Sequence, residues 1–378
     1  MILGLIVNPV AGLGGRVALK GSDGLVMQRL ALERGAVPRS GERAAEALAA
    51  LARAAPNVEI LAPPGAMGED AARDAGVAFS VVGRPLGRPS TADDTRDAAI
   101  ELRRHGARPI VFAGGDGTAR DVFDALGDGW PVIGIPAGVK IHSAAFALSP
   151  RAAGELAAEF ALGRATRLQD AEVMDVDENL LRRGIVAARL YGTLRMPRRR
   201  GLVQGAKARS DASDEAHARG IARRMARDSD AATTYIVGPG STTARVKSAL
   251  GVDGTLVGVD VIRGGEAVAL DADESVLLEA ASAGGVRIVV TPVGGQGYVL
   301  GRGNQQISPA VLLAAGGDGI TIVAAPGKLQ GLGGEPLLVD TGDEGVDRML
   351  SGYARVVTGY DDTCMYKVRA ASLTDAAN

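Results

Sequence analysis

Short apolar runs that alternate with helix-length segments dominate the first third of the chain. Ile2–Val7, Pro109–Ala113 and Pro131–Ile135 have the length and composition of buried strands. Thr91 is the clearest helix N-cap between them, because acidic residues follow it and basic residues close the segment. Strands separated by helices of this length require right-handed crossovers, so the pattern predicts a parallel, doubly wound sheet.

The pattern of predicted secondary structure changes from about residue 165. Strand-like segments such as Thr233–Val237 and Arg287–Thr291 are there separated by Gly, Pro and Asp turns, and long helices become rare. The sequence therefore predicts an α/β protein in two parts. Residues 1–145 form a Rossmann-like nucleotide-binding domain with a doubly wound parallel sheet, and residues 146–350 form a β-rich second domain.

Composition argues against several classes of partner. Lys and Arg number 42 against 44 Asp and Glu, which leaves a formal charge of −2 and no basic surplus for nucleic acid. No apolar run approaches the roughly 20 residues that span a bilayer, so we expect no membrane partner. A single cysteine and the lack of a visible signal peptide favour a cytoplasmic location.

A glycine-rich turn lies between a predicted buried strand and a predicted helix, at the sheet edge where doubly wound proteins bind ligands. Gly114 and Gly115 have no Cβ, so backbone amides can come close to a ligand. Gly117 and Thr118 open the helix, whose free amides favour phosphate. Asp116 is a poor phosphate ligand, and we interpret it as a general base or a hydroxyl orienter. The alternative is an ordinary turn with an Asp near a helix start.

The sequence Gly-Gly-Asp-Gly of residues 114–117 recurs at Gly316–Gly319, but there the order of helix and strand around it is reversed. There a helix-like run precedes the glycines, and the strand-like Ile320–Ala324 follows them. Gly316 can end the helix and Asp318 can turn the chain into the strand, so we interpret this copy as structural.

Two further loops follow predicted strands at the same edge as Asp116. The first runs from Asn8 to Arg16, and its glycines can hold part of a polyphosphate. The second contains Lys140, His142 and Ser143. Lys140 can neutralise phosphate, while His142 and Ser143 can hydrogen-bond a ribose or a base. A purely structural role is the alternative for His142.

The GGDGT turn with an upstream NPVAGLGG loop is shared by NAD kinases and by lipid kinases of the diacylglycerol and sphingosine type, and this chain resembles that superfamily. Residues 237–244, VGPGSTTA, look like the second nucleotide-binding turn of NAD kinases. The segments IPAGVKIHSAAFA and VTPVGGQGYVLGRGNQQISP resemble the bacterial and archaeal branch of predicted ATP- or polyphosphate-dependent NAD kinases, which includes AcoX-like proteins. The resemblance covers nearly the whole chain.

The resemblance implies roles for single residues. Asp116 aligns with the acid that takes the proton from, or orients, the 2′-hydroxyl of the adenosine ribose of NAD. The family's phosphate-holding turn aligns with four residues, Gly114, Gly115, Gly117 and Thr118. The turn that contacts the dinucleotide aligns with Gly240, Ser241 and Thr242.

The resemblance also implies partners and assembly. Mg²⁺ accompanies the phosphoryl donor in this family, and it offsets charge during the transfer. The implied partners are NAD(H) as acceptor and ATP or polyphosphate as donor, in a homo-oligomer that is a dimer or a tetramer. Residues 351–378 are expected to return to the first domain.

A loop near the end of the predicted second domain carries adjacent amide side chains. Asn304 and Gln305 can contact a nicotinamide or adenine edge, or a subunit partner. The alternative is a plain turn in which Ser308 caps the helix that starts at Pro309.

These observations favour a kinase that moves a phosphoryl group from ATP or polyphosphate to the 2′-hydroxyl of NAD(H), which gives NADP(H). A kinase of the same superfamily with a lipid or small-molecule acceptor is the first alternative. A dinucleotide-sensing regulator without turnover is the second.

Overall fold

The protein is described by a computed structural model over residues 1–19, 25–86, 89–138, 141–165, 167–176, 188–197, 212–293, 296–316 and 319–372. Two residues singled out in the sequence, Lys140 and Asp318, lie outside these ranges. Within the ranges, no helix combines the length and the apolar character needed to cross a membrane.

Five strands in the described part of the chain form the sheet of the first domain: β1 (Ile2–Val7), β2 (Glu59–Ala62), β3 (Phe79–Val81), β4 (Ile110–Gly114) and β5 (Val132–Pro136). Their order is β3-β2-β1-β4-β5, and every neighbouring pair is parallel. β4 and β5 are buried along their whole length. Continuous apolar runs are typical of strands covered on both faces, which is why the sequence pattern identified them.

Six helices accompany this sheet in the described ranges: α1 (Leu25–Glu33), α2 (Ser40–Ala54), α3 (Glu69–Asp74), α4 (Ala92–Arg104), α5 (Asp116–Leu126) and α6 (Pro150–Ala161). α2 packs against α3 and α6, whereas α4 packs against α5. Thr91 caps α4, and its backbone amide donates to the Asp94 carboxylate at 2.7 Å. The predicted doubly wound parallel sheet is confirmed.

The first hydrophobic core continues past residue 145, where the sequence placed the domain boundary. Helix α6 packs on α2, and an antiparallel pair follows, β6 (Leu168–Val176) and β7 (Ala188–Pro197). Val173 and Leu194 of this pair lie in the same core as Phe112 of β4. The expected boundary is therefore too early, because the apolar face of α6 and the inner face of the hairpin are buried against the first sheet.

The second domain is built on a mixed sheet of nine strands within the described residues: β8 (Thr234–Val237), β9 (Asp260–Arg263), β10 (Glu266–Ala269), β11 (Val286–Val290), β12 (Tyr298–Leu300), β13 (Ile320–Val323), β14 (Leu337–Val339), β15 (Gly352–Val357) and β16 (Thr363–Ala370). The order is β10-β9-β8-β11-β13-β15-β16-β14-β12. β8, β11 and β13 are parallel neighbours, so their carboxyl ends meet at one edge. The strand-rich second domain that the sequence predicted is confirmed.

Helices are more frequent in this domain than the sequence suggested: α7 (Ala212–Arg227), α8 (Ser241–Ala249), α9 (Glu274–Ser282), α10 (Pro309–Ala315), α11 (Pro326–Gln330) and α12 (Glu344–Met349). Most have nine residues or fewer. Helices of about two turns leave little periodicity in a sequence, so the pattern of turns alone predicts strands where these short helices occur.

The expected return of residues 351–378 to the first domain is contradicted for the two strands that the structure describes, while residues 373–378 lie outside the described part of the chain. β15 pairs antiparallel with β16, and both are also held by parallel strands of the second sheet, β15 by β13 and β16 by β14. Val356 and Val368 lie in the hydrophobic core of this domain. The segment therefore completes the middle of the second sheet, because its alternating apolar residues need that core to be buried.

Candidate active site

Asn8 and Thr118 are in contact at the carboxyl ends of the neighbouring strands β1 and β4. Asn8 follows β1 and Thr118 lies in α5, which follows β4; the strand order of the sheet reverses between β1 and β4. The Asn8 Nδ2 donates to Thr118 Oγ1 at 2.9 Å, and Asn8 Oδ1 accepts from the Val10 amide at 3.2 Å. Ligands of doubly wound sheets bind at this kind of switch point, so the two predicted residues lie where the fold offers a site.

The carboxylate of Asp116 is fixed by backbone amides of the loop that follows β5. Ser143 N donates to Oδ1 at 2.9 Å, and His142 N donates to Oδ2 at 2.9 Å. The His142 ring nitrogen Nδ1 lies 3.2 Å from the same Oδ2. The Asp116 side chain is 12% exposed. It is therefore a held carboxylate that still reaches the surface, and its position in the first turn of α5 suits a negative charge.

The roles expected of His142 and Ser143 change with this geometry. Both amides bind Asp116 instead of pointing at a ribose. The Ser143 hydroxyl is buried and accepts from the Met174 amide at 2.9 Å, so it is used inside the protein. The His142 side chain is 26% exposed and remains beside the carboxylate, where it can contact a ligand.

The glycines of this turn allow it to lie against the loop that follows β5. A Cβ at Gly114 would lie 2.3 Å from Thr118 Oγ1, and a Cβ at Gly138 would lie 2.7 Å from the Cα of Gly115. The amides of Ala137 and Gly138 both donate to the Gly114 carbonyl at 2.9 Å. The glycines of the predicted turn are therefore also needed for close packing of the backbone. Gly117 lies within the first turn of α5.

The second predicted turn lies at the carboxyl edge of the second sheet. Gly240 has φ +130°, a conformation that favours glycine, and it precedes α8, whose first turn contains Ser241 and Thr242. No side chain caps the start of this helix. Ser241 is exposed, whereas Thr242 is only 2% exposed. A ligand at the turn therefore meets the Ser241 hydroxyl and backbone amides before it meets Thr242.

A buried ion pair shapes the loop that anchors this turn. Lys247 Nζ lies 2.9 Å from Asp260 Oδ2, and both side chains are fully buried. The ammonium also donates to the carbonyls of Thr255 and Gly258 at 2.7 and 3.0 Å. This loop in turn holds Gly240, whose amide donates to the Leu256 carbonyl at 2.9 Å.

Three residues that the sequence analysis missed connect the two edges. A Cβ at Gly240 would lie 2.6 Å from Thr291 Cγ2, and Lys328 Nζ lies 3.4 Å from Thr291 Oγ1. Gln296 Nε2, at the other end of the same loop, donates to the Ile141 carbonyl at 3.2 Å. Five residues span at most roughly 18 Å, so Thr291 beside the Gly240 turn lies within about that distance of Gln296, which contacts the residue before His142. The available signal was a strand end followed by Gly or Pro, at Thr291 and again before Lys328.

The two amide side chains of the predicted recognition loop, Asn304 and Gln305, have different contacts within the protein. Asn304 Oδ1 accepts from the Gly301 amide at 3.0 Å, and its Nδ2 donates to the Val299 carbonyl at 2.9 Å. Asn304 is 1% exposed, so it shapes its own loop. Gln305 packs on Gly15 of the first domain, where a Cβ would collide with its Oε1. Ser308 caps α10 and Gly316 ends it, as predicted.

Buried charges fasten the two domains near the end of β5. Arg43 Nη2 pairs with Asp340 Oδ2 at 2.5 Å, and Arg43 Nε donates to the Pro136 carbonyl at 2.6 Å. Burial alone would raise the pKa of Asp340, but the charges of Arg43 and Arg302 outweigh burial and lower it. Burial raises the pKa of Tyr298 to about 12, so its hydroxyl stays protonated and donates to the Leu148 carbonyl.

Comparison with known families agrees with this architecture. A family model described as the ATP-NAD kinase N-terminal domain matches residues 3–165, and one described as the ATP-NAD kinase C-terminal domain matches residues 231–368. No curated protein and no solved structure matches the chain.

A doubly wound domain joined to a strand-rich domain, with both kinase domain models matched, defines a kinase-type phosphotransferase. The chain belongs to the NAD kinase family. Membership supports NAD(H) kinase activity in general terms.

Proposed function

We propose that the protein transfers a phosphoryl group from ATP or polyphosphate to the 2′-hydroxyl of the adenosine ribose of NAD(H), with Asp116 as the base. The observation that carries the proposal is the Asp116 carboxylate, held by two backbone amides at the sheet's switch point. The motifs VTPVGGQGYVLGRGNQQISP and IPAGVKIHSAAFA support the branch with AcoX-like proteins.

The contacts of Asp116 suit proton transfer from a hydroxyl. A carboxylate offers about four acceptor positions, and the two amides with the His142 ring use about three of them. The remaining position accepts the 2′-hydroxyl. Its oxygen attacks the terminal phosphorus of the donor while the bond from that phosphorus to the bridging oxygen breaks. The hydroxyl proton goes to Asp116 and then to solvent, and ADP or a shortened polyphosphate leaves with the bond electrons.

Backbone amides and the donor's own metal supply the remaining charge stabilisation. The amides at the start of α5 face the same edge as Asp116 and suit phosphate oxygens. No cluster of three potential metal ligands occurs among the described residues. Mg²⁺ would be carried by the donor phosphates and would offset their charge during transfer.

The acceptor lies in the cleft between the domains, with its ribose at Asp116 and its diphosphate at the Gly240 turn. The contact of Gln296 with Ile141 supports this, because it brings the loop that starts at Thr291 to the residue before His142. Lys328 lies beside Thr291 and adds a positive charge next to the exposed Ser241 turn. A diphosphate is held there by amides, a hydroxyl and an ammonium group.

A product assay tests the proposal directly. NAD, NADH and diacylglycerol are each incubated with ATP and with polyphosphate, and products are identified by mass and by phosphorus NMR. We expect phosphorylation of a dinucleotide at the 2′-position. Phosphorylation of the lipid alone, or no turnover with any pair, would contradict the proposal in favour of another acceptor or of a non-catalytic regulator.

A further inference from the structure

Gln296 lies just before β12, where the second sheet holds the chain on both sides of it. The Val293 amide donates to the Tyr298 carbonyl at 2.7 Å. After Gln296, the Leu338 amide donates to the Gly297 carbonyl at 2.8 Å. Gly297 has φ +77°, a conformation that favours glycine, so the chain turns tightly at this point. The turn therefore presents Gln296 at the contact with the first domain.

The side-chain amide of Gln296 has a defined orientation, because the groups on its two sides differ in chemistry. Arg302 Nη1 donates to Gln296 Oε1 at 3.3 Å, and Gln296 Nε2 donates to the Ile141 carbonyl at 3.2 Å. A guanidinium only donates and a carbonyl only accepts, so a flipped amide would lose both hydrogen bonds. Arg302 is itself held in place. It is 6% exposed, it lies over the Tyr298 ring at 4.0 Å, and its Nη2 donates to the Leu148 carbonyl.

The peptide group between Ile141 and His142 connects Gln296 to Asp116. Its carbonyl accepts from Gln296 Nε2 at 3.2 Å, and its N–H, on His142, donates to Asp116 Oδ2 at 2.9 Å. The two hydrogen bonds lie at opposite ends of one planar unit, so rotation of that unit changes both. Hydrogen bonds in such a chain also polarise each other, so donation to the carbonyl strengthens donation by the N–H. Gln296 therefore acts on the carboxylate without touching it.

The next residues of the same loop are fastened within the first domain. The Ser143 hydroxyl accepts from the Met174 amide at 2.9 Å. The Ala144 amide donates to the Glu172 carbonyl at 2.7 Å. Both partners lie in β6, so a change at Gln296 can release the hold of the second domain on this loop and leave these two contacts in place.

We propose that Gln296 is a positioning residue for phosphoryl transfer, which orients Asp116 from the second domain through the peptide group of Ile141 and His142. The effect on turnover rests on the proposed function, whereas the hold on the carboxylate is independent of it. Contact between the domains thus completes the geometry of the base as well as the cleft for the acceptor.

Two variants of the full chain, studied at neutral pH, separate this role from simple fastening of the domains. Gln296→Leu removes both the donor and the acceptor of the amide. Gln296→Glu keeps the size of the side chain and the acceptor for Arg302, but an ionised carboxylate cannot donate to Ile141. A residue that only fastens the domains tolerates Glu, because a carboxylate pairs with a guanidinium at least as well as an amide does. A positioning residue loses its effect in both variants.

Amide hydrogen exchange, followed residue by residue by NMR, measures the hold on Asp116 without turnover. We expect the His142 amide to exchange roughly tenfold faster in both variants, because its hydrogen bond has lost its support. The Ala144 amide, bound to Glu172, should keep its wild-type rate. Gln330→Glu makes the same change at the exposed end of α11 and should alter neither amide. An unchanged rate at His142 in Gln296→Glu, or equal acceleration at Ala144, would overturn the proposal.

Steady-state kinetics test the consequence for transfer. In both variants kcat should fall by ~10–10²-fold, since displacement of a reacting group by about 1 Å can cost that much. The Michaelis constants for NAD and ATP should stay within a few-fold of wild type. Wild-type turnover in Gln296→Glu, or a loss confined to the Michaelis constants, would contradict the positioning role. If the wild-type protein phosphorylates no dinucleotide but the exchange rates respond as expected, the proposed function fails and the hold of Gln296 on Asp116 stands.

Discussion

The turns at Gly114–Thr118 and Gly238–Thr242 use the same backbone device for different chemistry. Each follows a buried strand and leads into a helix, so each presents free amides at the carboxyl end of a strand. The first contains a carboxylate that is fixed by amides of the neighbouring loop. The second contains an exposed hydroxyl, Ser241, and has the ammonium of Lys328 nearby.

This difference separates reaction from binding. A held carboxylate repels phosphate and accepts a proton, so the first turn is suited to activating a hydroxyl. A helix start with a hydroxyl and a nearby cation attracts phosphate, so the second turn is suited to holding the dinucleotide. Side chains, and not the shared backbone, therefore decide which edge performs which task.

The largest effect is expected from Asp116→Asn. An amide keeps the size and polarity of the side chain but takes up no proton, so turnover should fall by ~10²–10⁴-fold while NAD affinity stays within a few-fold of wild type. Steady-state kinetics and equilibrium binding of NAD measure the two quantities.

The second Gly-Gly-Asp-Gly sequence, at residues 316–319, supplies the matched control. Asp318→Asn makes the same change at a position outside the described residues, between the end of α10 and β13, and full activity is expected. An Asp116→Asn enzyme within a few-fold of wild type, or equal losses in the two variants, would remove the distinction between the copies.

Lys247→Met tests the support beneath the second turn. The change leaves the buried Asp260 carboxylate without its counter-charge, so we expect a loss of ~3–5 kcal/mol in the free energy of unfolding. Urea denaturation measures this loss. Lys247→Met combined with Asp260→Asn should recover part of it, because the uncompensated charge is gone. A single variant as stable as wild type would show that the turn does not depend on this pair.

Ser241→Ala should have a moderate and selective effect. Loss of a hydroxyl that contacts a phosphate is worth ~1.5–3 kcal/mol, so the Michaelis constant for NAD should rise about tenfold or more while that for ATP stays close to wild type. Thr242→Ala is the neighbouring control, and its effect should be smaller because Thr242 is 2% exposed. A larger effect at Thr242, or equal effects on NAD and ATP, would contradict the assigned contact.

The smallest effect concerns stability in acid at the contact between the two domains, where Arg43 pairs with Asp340. The pKa of Asp340 is lowered, because the charges of Arg43 and Arg302 outweigh its burial. Its contribution is therefore present above the unfolded value of about 3.9 and is lost as pH falls below that value. Asp340→Asn should show a shallower loss of stability below pH ~4 than wild type in denaturation series. If the free energy of unfolding falls with pH in the same way in both proteins, Asp340 does not contribute to unfolding in acid.

Local sequence patterns predicted what depends on neighbours along the chain. β1, β4 and β5 were identified by unbroken apolar runs, α4 by the Thr91 cap, and the Asp116 turn by its glycines between a strand and a helix. Each of these features is decided within about ten residues of chain, where propensity and capping act directly.

Contacts between distant residues could not be predicted in this way. Asp116 is held by Ser143, Lys328 reaches Thr291, and Gln305 lies against Gly15. None of these pairs has a sequence spacing that a helix or a strand would dictate. The pairing of β15 and β16 inside the second sheet was missed for the same reason, because strand order depends on tertiary packing and not on the strand's own residues.

Transfer rates at saturating NAD and ATP test the division between the two turns most directly. If Ser241 only holds the dinucleotide, Ser241→Ala should regain a rate within a few-fold of wild type once NAD is raised about tenfold or more above its wild-type saturating level. Asp116→Asn should stay ~10²–10⁴-fold slower at any concentration. A rate in Ser241→Ala that stays low at saturation, or a rate in Asp116→Asn that recovers with added NAD, would contradict the account.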